Sequence, residues 1–333
     1  MKLQRLQATS DSSLPAAIRV KITGQKENDS GVGEMEDSLR DLIRSIGCSI
    51  DLSSLDGVTF AFDYEQALRE LDRGFEDEHE LKKTDDRGVG VAMTASVIRN
   101  DRLLSQIVFN ANTFFGMMSR GQEARAVQLL AHECAHVQAN AEFDACFSDI
   151  LKRQPLNMLD GLRREIILTC WDEYAACYLS ASYGEDRGPD YETLLIDHLV
   201  DARERANQAI SKYWNHRHWK VVREVAEIYK DPLKYAAYYL GNLAGRRTPT
   251  DISVQLEGML AEHWFAPFFK RLSLMLETIN LKRGSWQDFS DFESLADIFI
   301  DLLEDGGMVI HVREDDPKFC RVDLPESPEL LRR

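Results

Sequence analysis

The feature that most constrains this chain is His132-Glu133-Cys134-Ala135-His136, set inside the run 123–138, which holds no Gly or Pro. That run is rich in Ala, Leu, Gln and Glu, residues that favour helix. Ser119-Arg-Gly-Gln122 ahead of it supplies a helix start. On a helix, side chains four apart share one face, so both imidazoles reach one cation. Glu133 sits beside them, placed to take a proton from a water that such a cation holds. Val127, Leu130, Ala131, Cys134 and Ala135 fall at helical spacing and predict a buried helix with a small-residue stripe. Cys134 is either a small packing residue of that stripe or a redox cap on the metal.

Two histidines do not hold a catalytic zinc; a third protein ligand is needed, with one position left open for water. A tight turn after the helix would need Gly at position 139 and a ligand at 142. The chain has Ala139 and Glu142 there, and without Gly the backbone is poorly suited to turn back. The other scheme draws the ligand from a second helix, and Leu159–Ser182 reads as one. Cys170, Glu173, Ala176, Cys177 and Ser180 share one face by three-and-four spacing. A lone carboxylate among small and apolar residues is costly unless paired or metal-bound, so Glu173 is the expected third ligand. Asp172 is the fallback, or accepts a hydrogen bond from a ligating histidine. The competing expectation leaves Asp172 and Glu173 solvated while Trp171 and Tyr174 face the core.

His-Glu-x-x-His on one helix, followed by Glu173-Tyr-Ala-Ala176 on the next, resembles the gluzincin metallopeptidases with their Glu-x-x-Ala second motif. The chain departs from the Glu-x-x-x-Asp form, because position 177 is Cys. Gln106-Ile-Val-Phe-Asn110 is similar to the strand before the motif helix in the ImmA/IrrE-like peptidases, which cleave repressor proteins in bacteria and their mobile elements. The resemblance spans residues 88 to 185. It implies an α+β fold with a zincin-like core, a small mixed sheet plus the motif helix and the Glu helix. It implies Zn2+ on His132, His136 and Glu173, Glu133 as general base, and hydrolysis of peptide bonds in a protein or peptide substrate. A selective regulatory endopeptidase that cleaves a repressor or another partner is the sharpest form of that expectation. Zinc peptidases also use a His or Tyr to stabilise the oxyanion. His216, His218, Tyr238 and His263 are candidates, each of them equally a packing residue or helix cap. The alternative is a zincin fold that binds zinc and a partner without turnover, which would leave Glu133 with no task.

Gly88–Ile98 and Leu103–Phe109 are apolar or β-branched runs around the polar turn Arg99-Asn-Asp-Arg102, which predicts a hairpin. In zincins an edge strand along the cleft pairs with an extended substrate by strand addition. Asn110 and Asn112 cap the following turn or reach the cleft.

The 333 residues, 29% charged and 44% hydrophobic, suit a soluble globular protein of one large or two medium domains. A net charge of −16 argues against general nucleic-acid binding and favours neutral or basic protein partners. No apolar run has the length to cross a bilayer, and the N-terminus lacks the apolar core of a signal peptide. Six scattered cysteines without paired spacing read as reduced thiols in a cytoplasmic protein.

Along the chain, residues 1–15 are expected as a frayed stretch, Ala16–Ile22 as a strand and Lys26–Gly33 as a loop. Glu34–Ile46 reads as an amphipathic helix, Val58–Phe62 as a strand, Tyr64–Leu71 as a helix and the acidic Gly74–Asp86 as a loop or flap. Beyond Tyr191 the pattern is helical over 191–213, 216–230, 232–244, 253–281 and 287–304. Asp231-Pro232, Gly241–Pro249 and Gly284 are expected as joints. Gly306–Val312 reads as a late strand, and Asp315–Arg333 as loop. The division that follows is a metallopeptidase-like core over 1–190, a helical domain over 191–305 and a short strand with a polar tail over 306–333.

Overall fold

The computed structural model describes residues 11–24, 31–75, 81, 91–148, 150, 153–246 and 252–326. Most of the acidic stretch Gly74–Asp86, most of the loop Lys26–Gly33 and the first ten residues lie outside them. The chain is an α+β protein; the described residues are 60% helical and form ten helices. No helix of these residues is long and apolar enough to cross a membrane. Two compact units emerge: Met1–Ala145 with Leu179–Asp186, and Cys146–Tyr178 with Arg187–Arg333.

The first unit is built on a four-stranded sheet. In chain order it holds β1 (Arg19–Thr23), α1 (Val32–Ile46), β2 (Leu55–Ala61), α2 (Tyr64–Arg69), β3 (Ala92–Arg99), β4 (Arg102–Asn110), α3 (Ala111–Ser119) and α4 (Glu123–Phe147). The spatial order is β1-β2-β4-β3, with β1, β2 and β4 parallel and β3 antiparallel at the edge. β4 is buried from Ser105 to Phe109, as a central strand covered on both faces must be. Phe60, Phe109 and Phe114 stack at its end with ring centroids 4.8 to 5.3 Å apart. The expected hairpin is present. Asn100 and Asp101 both take positive φ, 51° and 61°, the two-residue turn that matches strand twist. Asn110 ends β4 and caps α3, its side chain accepting from the Thr113 N–H, while Asn112 donates to the Phe62 carbonyl. The capping alternative therefore holds for Asn110.

In α4 every residue from Leu130 to Val137 is buried. The small side chains of Ala126, Ala131, Cys134, Ala135 and Ala139 explain why a helix can pack so closely on all sides. Its histidines and Glu133 are thus polar groups in an apolar helix and need partners.

The second unit is mainly helical: α5 (Met158–Ser180) up to Tyr178, then α6 (Gly188–His216), α7 (Lys220–Gly245), α8 (Val254–Leu260), α9 (Ala266–Leu281) and α10 (Ser290–Asp305), with β5 (Val309–Val312) and β6 (Cys320–Asp323) as an antiparallel pair. Trp171, Trp286 and Phe292 form its aromatic centre, with centroids 5.2 to 5.7 Å apart. Four expectations are corrected here. α7 runs unbroken through Pro232, because its buried face packs extensively on α6 and compensates for the hydrogen bond that proline forfeits. Gly241 lies inside that helix, not at a joint. The 253–281 run breaks between α8 and α9, where Pro267 starts a new helix. The tail contains β6, paired from Val312↔Cys320 to Val309↔Asp323.

Gly241 and Gly245 set how closely α7 meets α5. A Cβ on Gly241 would fall 2.3 Å from the Tyr174 carbonyl oxygen, and one on Gly245 would fall 2.1 Å from that of Tyr178. Only hydrogen at these positions allows the two backbones to touch.

Candidate metal centre

α4 presents His132 and His136 one turn apart with their Nε2 atoms 3.1 Å from each other and the rings nearly perpendicular. Two ligand corners of a tetrahedral zinc with bonds near ~2.0 Å stand about 3.3 Å apart, so the spacing suits one shared cation. Glu173 completes a group: one ligand atom from each of His132, His136 and Glu173 lies within 4.8 Å of the other two. Both histidines are buried and Glu173 is half-buried. Two neutral nitrogens and one carboxylate oxygen are donors suited to a divalent transition metal. Among the described residues this is the group able to hold an ion, and Glu142 is not in it. Glu142 instead accepts a hydrogen bond from Gln138 at 2.7 Å. Gln138 also accepts the Asp51 N–H, tying the helix to the loop before β2.

On α5 the face read from the sequence is real. Cys170, Ala176, Cys177 and Ser180 are buried around Glu173. Trp171 and Tyr174 are buried too, so the aromatic half of the competing expectation holds, while Glu173 is not left solvated but lies half-buried with the histidines. Asp172 stands half-buried beside Glu173 and is not a member of the group.

Glu133 is 7% exposed. The Thr94 hydroxyl lies 2.8 Å from its Oε2 and 3.1 Å from its backbone carbonyl oxygen. Thr94 belongs to the edge strand β3, opposite Ile107. Tyr64, at the start of α2, also senses this carboxylate. Burial, and then the charge of Glu133, push its phenol well above its ordinary range. Cys134 is fully buried, and burial first and Glu133 second raise its thiol likewise. Cys134 is not a member of the group of His132, His136 and Glu173 and packs among the small residues of α4.

The four oxyanion candidates separate cleanly. Tyr238, on α7, is half-buried and hydrogen-bonds Glu173; burial of its phenol, then that carboxylate, hold the group well above the usual value. Tyr238 packs 5.1 Å from Tyr191 and 5.8 Å from Tyr235, ring to ring. His216 and His218 are exposed at the end of α6, where the His218 N–H donates to His216 Nδ1 at 3.0 Å and Arg217 takes the left-handed conformation that ends the helix. His263 accepts the Phe265 N–H and lines a surface cavity with Arg203, Asn207 and Trp264; burial, then Arg203, lower its pKa. The rings of His216 and His263 thus cap chain turns, and His218 stands exposed beside His216. Thr94 and Tyr64 were not anticipated. The available signal for Thr94 was a hydroxyl in the strand flanking the motif helix, a signal it shares with Ser96.

The chain matches no family model, no curated protein and no solved structure.

Proposed function

We propose that this protein is a zinc-dependent metallopeptidase with a zincin-like core, which hydrolyses peptide bonds in a protein or peptide substrate. The observation that carries this reading is the convergence of His132, His136 and Glu173, with Glu133 one residue along from the first ligand. His132 and His136 would bind through their Nε2 atoms and Glu173 through a carboxylate oxygen. Zinc bound there supplies a Lewis acid that brings the pKa of a water toward neutrality. Glu133 accepts the proton as the water oxygen adds to the scissile carbonyl carbon. It then returns that proton to the amide nitrogen as the C–N bond breaks. Thr94 places edge strand β3 next to Glu133, so an extended peptide added along that strand meets the base. The six cysteines, none in a disulfide among the described residues, support a reducing compartment such as the cytoplasm. The net charge of −16 favours substrates that are neutral or basic, and a selective regulatory role follows from the resemblance to repressor-cleaving peptidases.

The test is metal content together with turnover. Wild-type protein is expected to hold about one zinc per chain, and His132→Ala and Glu173→Ala to lose it. Wild type should cleave casein or a mixed peptide library, and Glu133→Gln should keep zinc without cleaving. A wild-type chain that takes up no zinc when it is supplied overturns the reading.

A further inference from the structure

Glu133 is a long side chain on a helix that is buried on all sides, and its three side-chain torsions must be fixed if one oxygen is to meet a reacting water. Helical packing alone gives the carboxylate no anchor, because its neighbours three and four residues away on α4 are the apolar Leu129, Leu130 and Val137 and the candidate ligand His136. Among the described residues, the hydrogen bond that its carboxylate makes is the one to Thr94, at Oε2. The same hydroxyl also reaches the Glu133 carbonyl oxygen, so strand β3 grips the residue at both its backbone and its tip.

A threonine hydroxyl carries one proton and faces two acceptors here. The carboxylate is nearer and charged, and charge-assisted hydrogen bonds are the stronger kind, so the proton goes to Oε2. Oε1 is then left for the proton of the water. Once Oε1 holds that proton, Oε2 becomes the carbonyl-type oxygen of the carboxylic acid and still accepts from the threonine hydroxyl. Thr94 thus pairs with the base throughout the cycle with no movement of heavy atoms.

We infer that Thr94 is a positioning residue for the base Glu133, pinning Oε2 so that Oε1 faces the reacting proton. The inference rests on the zinc-peptidase reading and adds to it a residue on a different element. Thr94 acts through Glu133 and does not touch substrate.

The probe is acetohydroxamic acid, which chelates a metal through two oxygens and gives its proton to a carboxylate beside it. Binding is read from the absorbance of the cobalt-substituted protein, with no substrate or turnover needed. Thr94→Val, nearly isosteric, is expected to keep the metal and to weaken hydroxamate binding about tenfold, the scale of one hydrogen bond to a charged group. Thr94→Ser restores the hydroxyl and is expected to bind within about threefold of wild type, because only a methyl is lost. Glu133→Gln alone should weaken binding, and adding Thr94→Val to it should cost less than about twofold more, since the two act as one unit. Wild-type affinity in Thr94→Val overturns the inference, as do effects that multiply in the double variant or a Thr94→Ser protein as weak as Thr94→Val. Should Thr94→Val not fold, the serine variant and its combination with Glu133→Gln still decide: a large loss in Thr94→Ser alone, or one that persists in the Glu133→Gln background, overturns the role. A wild-type protein that binds cobalt but no hydroxamate overturns the peptidase reading itself, and one that binds no metal overturns the metal centre; both are distinct from a failure of Thr94.

Discussion

Under the zinc-peptidase reading Glu133 and Glu173 bring the same carboxylate to different tasks, and their neighbours set the difference. Glu133 has a threonine hydroxyl at Oε2 and lies beside the histidines, whereas Glu173 points at them and is hydrogen-bonded by the Tyr238 phenol. Glu133→Gln keeps the shape and removes the base. It is expected to retain zinc while cutting casein cleavage by about 10²–10⁴-fold, the usual weight of general acid–base catalysis. Tyr238→Phe deletes the hydroxyl that holds Glu173. It is expected to lower zinc affinity about tenfold, measured by competition with a chelating dye, as happens when the partner of a ligand is removed. Unchanged affinity would make Tyr238 a packing residue only. The three motif residues and Glu173 were legible in the sequence because helical periodicity alone puts each on its face. The Tyr238–Glu173 and Thr94–Glu133 contacts were not legible, for one reason: the partners lie on different helices or strands, and periodicity says nothing of contacts between elements.

At the scale of elements, the contact between α5 and α7 decides where Glu173 can point. Tyr238 meets Glu173, Gly241 meets Tyr174 and Cys177, and Gly245 meets Tyr178, so the two helices advance together along one seam. Gly241→Ala puts a methyl 2.3 Å from a carbonyl oxygen. Relief requires the backbones to part, at a cost of about 1–3 kcal/mol for overpacking of this kind. The variant is expected to show a lower denaturation midpoint and weaker zinc binding than wild type, whereas Gly258→Ala, with nothing near its Cβ, should leave zinc binding unchanged. The sequence suggested a joint at Gly241 because glycine is common in turns; in this helix it serves close approach instead, and only the partner helix reveals that. Pro232 misled in the same way, since the rule that proline ends a helix assumes no tertiary packing to hold the chain straight. The β3–β4 hairpin was legible because Asn100-Asp101 is a local signal whose geometry needs no distant partner.

For the whole molecule, the α+β class was legible from the switch between strand-like and helical patterns, while the way the chain divides was not. The residues 179–186 group with the first unit and 146–178 with the second, so the chain passes from the first unit to the second, back, and over again. No composition shift marks such crossings. What periodicity does supply is the prospect of a metal that joins residues distant in sequence, and under the proposed zinc reading folding stability is expected to depend on zinc. A cation bound by the folded state alone raises stability by RT ln(1 + [L]/Kd), about 4 kcal/mol at a thousandfold excess over Kd. A protein of charge −16 also gains from any dication by screening, so a rise in melting temperature with zinc would not by itself identify the site. Magnesium at equal concentration isolates that effect, because it prefers oxygen ligands and binds imidazole poorly. Melting followed by circular dichroism is expected to rise by several degrees in zinc over EDTA and barely at all in magnesium. Glu133→Gln should keep the zinc increment in full, since the base is not a ligand. His132→Ala and Glu173→Ala should melt alike in zinc and in magnesium. An equal rise in both metals for wild type would mean that zinc acts through charge alone, and His132, His136 and Glu173 would then be a buried polar cluster with no ion of its own.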